Sequence, residues 1–134
     1  MTVRLDVTNL AEWSEKSQTK FYINFLWLLC LVLNSRDDFR MGWDRDAGQL
    51  ICRDRIHLLQ YVFHPETETC TPVYTRWQED WSAFYKECSQ DLEQAKRGGG
   101  YRLEPETHPN WFDASYLTWV SYDAGHHPAQ SCRG

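Results

Sequence analysis

The sequence predicts an α/β (α+β) two-layer sandwich, a mixed β-sheet with helices packed on one face. Three observations predict it. A 3.6-residue apolar stripe runs from Trp77 to Leu92, and a nearly continuous apolar segment runs from Lys20 to Asn34. Between and after these helical patterns lie short β-rich runs separated by charged turns, so the elements read βααββββαβ. Runs of strands flanked by helices, with tight hairpins, are the pattern of a sheet covered by helices. At 134 residues the chain is one domain, large enough for a hydrophobic core.

Thr2 to Val7 alternates apolar Val3, Leu5 and Val7 with polar neighbours, which predicts a strand with one buried face. Thr8 or Asn9 then caps a short helix, with Glu12 placed to reach back, and Ser17-Gln18-Thr19 ends it. In the following helix Phe21, Phe25, Leu28, Leu29 and Val32 recur at helical spacing while Leu26, Trp27, Leu31 and Leu33 fill the rest of the circumference. Such a helix is expected to be buried on nearly all sides. Residues 39–43 and 49–52 flank Asp44-Arg45-Asp46-Ala47-Gly48, a hairpin signal, and His57 to Phe63 is a further strand. After the turn at Pro65 to Glu68 the chain is extended again from Thr69 to Tyr74. From Arg76 an amphipathic helix presents Trp77, Trp81, Phe84, Tyr85, Cys88 and Leu92 to one side, and Gly98-Gly99-Gly100 stops it. Residues 101–110 read as loop, Trp111 to Tyr122 as strand, and residues 123–134 as an unstructured tail.

A net charge of −5 with scattered Lys and Arg argues against nucleic acid as a partner. The most apolar stretch, Phe21 to Leu33, falls short of the roughly 20 residues that span a bilayer, and residues 1–20 have no signal-peptide pattern. A soluble cytoplasmic chain that engages no membrane is expected. Five dispersed cysteines (Cys30, Cys52, Cys70, Cys88, Cys132) suit reduced thiols, each read as a small buried hydrophobe. No His, Cys or Asp pair has metal-ligand spacing, so no metal is expected. His57 and His108 read as surface residues, His64 as closing the turn before Pro65, and Glu66 and Glu68 as holding that turn.

Five phrases stand in order along the chain: Leu5-Asp6-Val7-Thr8; Lys20-Phe21-Tyr22 with its apolar helix; Phe39-Arg40-Met41; Val62-Phe63-His64 with Glu66-Thr67-Glu68-Thr69; and Ser115 through Trp119-Val120. Together they resemble the chloramphenicol acetyltransferase family over residues 2–122. Residues 1–122 are accordingly expected to form a partial domain of that type, and residues 123–134 to lie outside it. The resemblance implies a homotrimer that moves acetyl from acetyl-CoA to a hydroxyl of a chloramphenicol-like small molecule, an activity of antibiotic resistance. An alcohol is a weak nucleophile at neutral pH, so an imidazole must take its proton, and the tetrahedral oxyanion needs a fixed donor.

By this resemblance Ser115 is the oxyanion donor, Leu59, Tyr61, Cys70 and Pro72 line the acceptor pocket, and Trp119 adjoins the acetyl-CoA channel. Cys70 stands where the family has a Phe, which implies a smaller and less aromatic wall. The family's base is the second His of a His-His-x-x-x-Asp-Gly motif. Here His126-His127 is followed by Pro128-Ala129-Gln130-Ser131-Cys132, without the Asp-Gly, so the pair is not expected to serve as base. The family's opening strand and helix, with an Arg important to the site, have no counterpart either, and a chain shortened at both ends by truncation or frameshift is expected. The alternatives to an acetyltransferase are a drug- or CoA-binding or trimer-partner module without turnover, and a gene remnant that does not fold.

Overall fold

Helix and sheet separate into two layers because each strand of the main sheet has one apolar face and the helices carry the complementary stripe. The computed structural model describes residues 3–98, 104 and 110–115. Its elements are α1 (Thr8–Lys16), α2 (Phe21–Asn34), α3 (Asp37–Arg40), β1 (Met41–Asp44), β2 (Gln49–Cys52), β3 (His57–His64), β4 (Thr69–Thr75), α4 (Trp81–Lys96) and β5 (Trp111–Ala114). β3 is central in a three-stranded mixed sheet of order β4-β3-β5, antiparallel to β4 and parallel to β5. β1 and β2 form a separate antiparallel hairpin.

Leu58 and Val62 of β3 and Val73 of β4 point to the helices. There they join Ile23, Leu26 and Cys30 of α2 with Phe84, Cys88, Leu92 and Ala95 of α4 in one core, and Phe112 and Ala114 of β5 pack at its margin. Burying apolar surface of this kind is the main force holding the two layers together. Gln60, Thr75 and Asn24, enclosed with it, are paired, while the buried Trp77 indole N–H has no partner among the described residues. Gln60 accepts a hydrogen bond from the Tyr22 hydroxyl at 2.7 Å, and Thr75 donates to Asp91 at 2.9 Å. Asn24 donates to Ser14 and Thr19 and accepts from the Trp81 indole at 2.9 Å, tying α1, α2 and α4 into one layer. Paired in this way, buried polar groups do not carry the desolvation cost of orphaned ones.

Several expectations are corrected. Residues 3–7 are not a strand: they pair with no strand among the described residues, and Val3 and Leu5 are exposed. Alternation supplies a strand's pattern but not the neighbour that its backbone N–H and C=O groups require. The N-cap of α1 is Val7, with no side-chain cap, and neither Thr8 nor Asn9 caps it; the Asp6 carboxylate, one residue earlier, accepts from the Thr8 backbone N–H at 3.0 Å. α2 buries one face only, since Leu28, Leu31 and Val32 are exposed. α4 begins at Trp81 and not at Arg76, with Asp80 as N-cap accepting from the Ser82 N–H at 3.0 Å. Trp77 reaches the same core from the extended segment ahead of the helix.

β3, β4, the Trp81–Leu92 stripe and the hairpin from Met41 on agree with expectation, but Phe39 and Arg40, expected to open the hairpin's first strand, belong to α3; Gly98 follows α4 with φ +79, a left-handed conformation that suits glycine. β5 covers the start of the expected strand from Trp111; residues 116–122, the tail, His108, Gly99 and Gly100 lie outside the described residues. Cys30 and Cys88 are buried, and burial pushes their thiols up to about 12 and about 11. Cys52 and Cys70 are exposed, against expectation: each sits where its strand turns a side chain to solvent.

Phe84 is fully enclosed between the layers. Phe84→Ala is expected to lower unfolding stability by about 3–5 kcal/mol, and Asp80→Ala, which removes only a cap, by about 1 kcal/mol. Urea midpoints at unchanged m-value measure both.

Candidate active site

Side chains of a strand alternate between faces, so the face of β3 that does not meet the helices carries His57, Leu59, Tyr61 and Phe63. Strand register extends that face sideways. On β4, Tyr74 lies opposite Leu59, Pro72 opposite Tyr61 and Cys70 opposite Phe63. On β5, Trp111 lies beside His57 and Asp113 beside Leu59. Ser115 comes two residues after Asp113 and continues the same alternation.

The fold therefore brings Leu59, Tyr61, Cys70, Pro72 and Ser115 together on one sheet face. Trp119 lies outside the described residues. Within the group the roles of exposure differ. Tyr61 is 46% exposed and Leu59 only 3%, so Tyr61 presents its ring to solvent while Leu59 is enclosed beneath. Phe63 and Trp111, at 42% and 37%, complete an aromatic surface that stands open among the described residues.

Two polar members of this face were not among the sequence candidates. Asp113 accepts from the Tyr61 hydroxyl at 3.4 Å, across the β3–β5 boundary. Partial burial of the phenol, then the Asp113 charge and this bond, raise the Tyr61 pKa, so the hydroxyl stays a donor at neutral pH. Asp113 could have been found from its position two residues before Ser115, which puts both on one face. The other is His57, a half-buried residue where a surface one was expected. Its Nδ1 accepts from the Trp77 backbone N–H at 3.0 Å, so its proton resides on Nε2, and its ring meets Tyr74 edge-on at 5.7 Å. Burial, then the charges of Arg55 and Arg76, lower its pKa to about 4. No sequence pattern signals this, since the partner lies 20 residues away.

His64 pairs with Thr71 across the β3–β4 ladder at 2.6 Å, and Glu68 holds the turn between them with φ +52. Among the described residues no three His, Cys, Asp or Glu side chains are grouped as a metal site, and no helix is long and apolar enough to cross a membrane.

A two-layer sandwich with an open, aromatic sheet face and a serine at the end of its edge strand is the architecture of a known class of acyltransferase. A solved structure of a chloramphenicol acetyltransferase superposes with a TM-score of 0.67 at 18% sequence identity, covering 85% of this chain and 57% of that one. The family model described as chloramphenicol acetyltransferase matches residues 1–127, and the chain belongs to the chloramphenicol acetyltransferase family. It is similar to the chloramphenicol acetyltransferase of Proteus mirabilis, with 31% identity over 121 residues, 90% of this chain and 54% of the relative. It is likewise similar to that of Escherichia coli, with 33% identity over 122 residues, 90% and 54%, and to that of Streptomyces acrimycini, with 31% over 122 residues, 91% and 55%. The chain spans about half the length of the curated relatives it matches.

His57 carries a pH dependence. Below about 6.5 the unfolded chain takes up a proton that folded His57 resists, because burial and then the charges of Arg55 and Arg76 disfavour the imidazolium. Stability is expected to be level above pH 6.5 with respect to this group and to fall as pH drops from 6.5 to about 4. Urea unfolding across that window, compared with His57→Gln, measures it: the substitution flattens the contribution of this group.

Proposed function

We propose that residues 1–122 carry the acceptor wall and oxyanion donor of a chloramphenicol O-acetyltransferase site, with residues 123–134 outside it. The observation that carries this proposal is the single sheet face holding Tyr61, Cys70, Pro72 and Ser115 above Leu59. An aromatic acceptor lies flat against Tyr61 and Pro72, with Cys70 leaving more room at the far end than a ring would. Its hydroxyl oxygen attacks the thioester carbonyl of acetyl-CoA. Ser115 Oγ–H donates to the oxyanion that forms, the C–S bond breaks, and the thiol leaves with the proton taken from the hydroxyl. Trp119 adjoins the acetyl-CoA side, and Asp113 holds the Tyr61 hydroxyl in one orientation.

The base is a histidine that this face does not supply. His57 is committed through Nδ1 to Trp77, and the sequence contains no His-His-x-x-x-Asp-Gly. We assign the base to residues beyond these 134, in a homotrimer whose neighbouring subunits cover Tyr61, Phe63 and Trp111. The setting is cytoplasmic and the outcome is chloramphenicol resistance. The 134-residue polypeptide by itself is then a binding module without turnover.

Titration with chloramphenicol is expected to quench tryptophan fluorescence saturably, with Tyr61→Ala weakening binding roughly tenfold, about 1.4 kcal/mol. Ser115→Ala is expected to leave binding unchanged and, in any form of the site that turns over, to lower kcat on the order of 10²–10³-fold. A flat titration overturns the acceptor wall. Acetyl-CoA-dependent thiol release above background by the isolated polypeptide overturns the assignment of the base.

A further inference from the structure

Between the end of α3, the β1–β2 hairpin and the start of β5 lies a cavity of about 320 Å³, bordering the acceptor face only at Trp111. Its lining includes Arg40 and Arg53 and the aromatic residues Phe39 and Trp111.

Arg40 is anchored. Its Nη1 donates to the carbonyls of Arg53 and Asp54 at 3.1 and 3.0 Å, and its Nη2 pairs with Asp37. Its Nε–H is buried and has no hydrogen-bond partner among the described residues. Arg53 lies across the backbone of β1 at Gly42, where a Cβ would come within 3.1 Å of its Nε. It donates through Nη1 to the neutral side chain of Asn110 and has no carboxylate within ion-pair distance among the described residues. Asn110 is itself pinned, with φ +52 and its carbonyl accepting from the His57 N–H at 2.6 Å.

A half-buried guanidinium without a counter-charge, beside an orphaned buried N–H, is a cost that an anion relieves. The flat apolar walls set the rest of the ligand, since Phe39 and Trp111 suit a ring and the volume suits a molecule of one ring. We propose that this cavity binds a small aromatic carboxylate, its carboxylate on Arg53 and the Arg40 Nε–H and its ring between Phe39 and Trp111. The site shares only Trp111 with the acceptor face and stands whether or not that face binds chloramphenicol.

Arginine Nε–H resonances of the full chain, labelled with ¹⁵N-arginine, test it directly. Benzoate is expected to shift the Arg40 and Arg53 resonances saturably with a Kd below about 1 mM, and benzyl alcohol, the same ring without the charge, to leave them unmoved. Arg53→Gln is expected to weaken benzoate at least tenfold, while Arg45→Gln, which removes a charge from the exposed hairpin turn, leaves it unchanged. No saturable shift with benzoate overturns the proposal, as does an equal response to benzyl alcohol. An equal response to inorganic phosphate overturns the aromatic part of the assignment. The wild-type titrations decide these points even where Arg53→Gln fails to fold.

Discussion

The parallel pairing of β5 on β3 is the constraint on which the candidate site depends. It begins where the Asn110 carbonyl accepts from the His57 N–H, and from there the register runs through Leu58 and Phe112 to Gln60 and Ala114. Because side chains alternate with a period of two, this one starting bond decides which face Ser115 occupies. A slip of one residue would send Asp113 and Ser115 into the helical layer and bring Phe112 out to solvent. The tie of Arg53 to Asn110 and the left-handed backbone at Asn110 hold the starting point, so the hairpin and the sheet, though separate ladders, meet at the residue that sets the site.

The two faces of the sheet answer to different demands. Toward the helices, Leu58, Val62 and Val73 are buried with Phe84, and the buried amides of Gln60 and Asn24 have partners. Away from the helices, apolar rings remain at the surface and the polar groups are few. A family of acyltransferases can place an acceptor pocket on such a face because the core on the other side already holds the strands in place. The site then makes little contribution to stability, and its rings are free to serve a ligand or a neighbouring subunit.

Much of this was legible in the sequence because local periodicity and turn chemistry act over a few residues. The Phe84, Cys88, Leu92 stripe, the Asp44–Gly48 turn and the His57–Phe63 run each declare themselves within one element. The errors arose where a pattern needs something distant. Residues 3–7 alternate like a strand, but alternation carries no information about a partner. Trp77 extends the helical spacing backward, but Asp80 is the residue whose side chain can cap the first turn, and it is the better mark of where the helix starts. Leu59, Tyr61, Cys70, Pro72 and Ser115 are singled out by the family resemblance alone; that Tyr61, Pro72 and Ser115 share one face follows from register, which no single strand encodes. His57 was least legible, since its environment is built by Trp77, Tyr74 and two arginines from other segments.

Pro72 has a consequence beyond the pocket wall. It sits in β4, an outer strand of the sheet among the described residues, and it has no backbone N–H. Prolines in outer strands turn that missing donor away from the sheet, so a strand arriving on the far side of β4 meets a gap in its ladder. Growth of the sheet is thereby made directional: addition is discouraged along β4 and remains open along β5. Among the described residues the sheet has an exposed aromatic face and two unpaired margins, and a single imino acid blunts one of them.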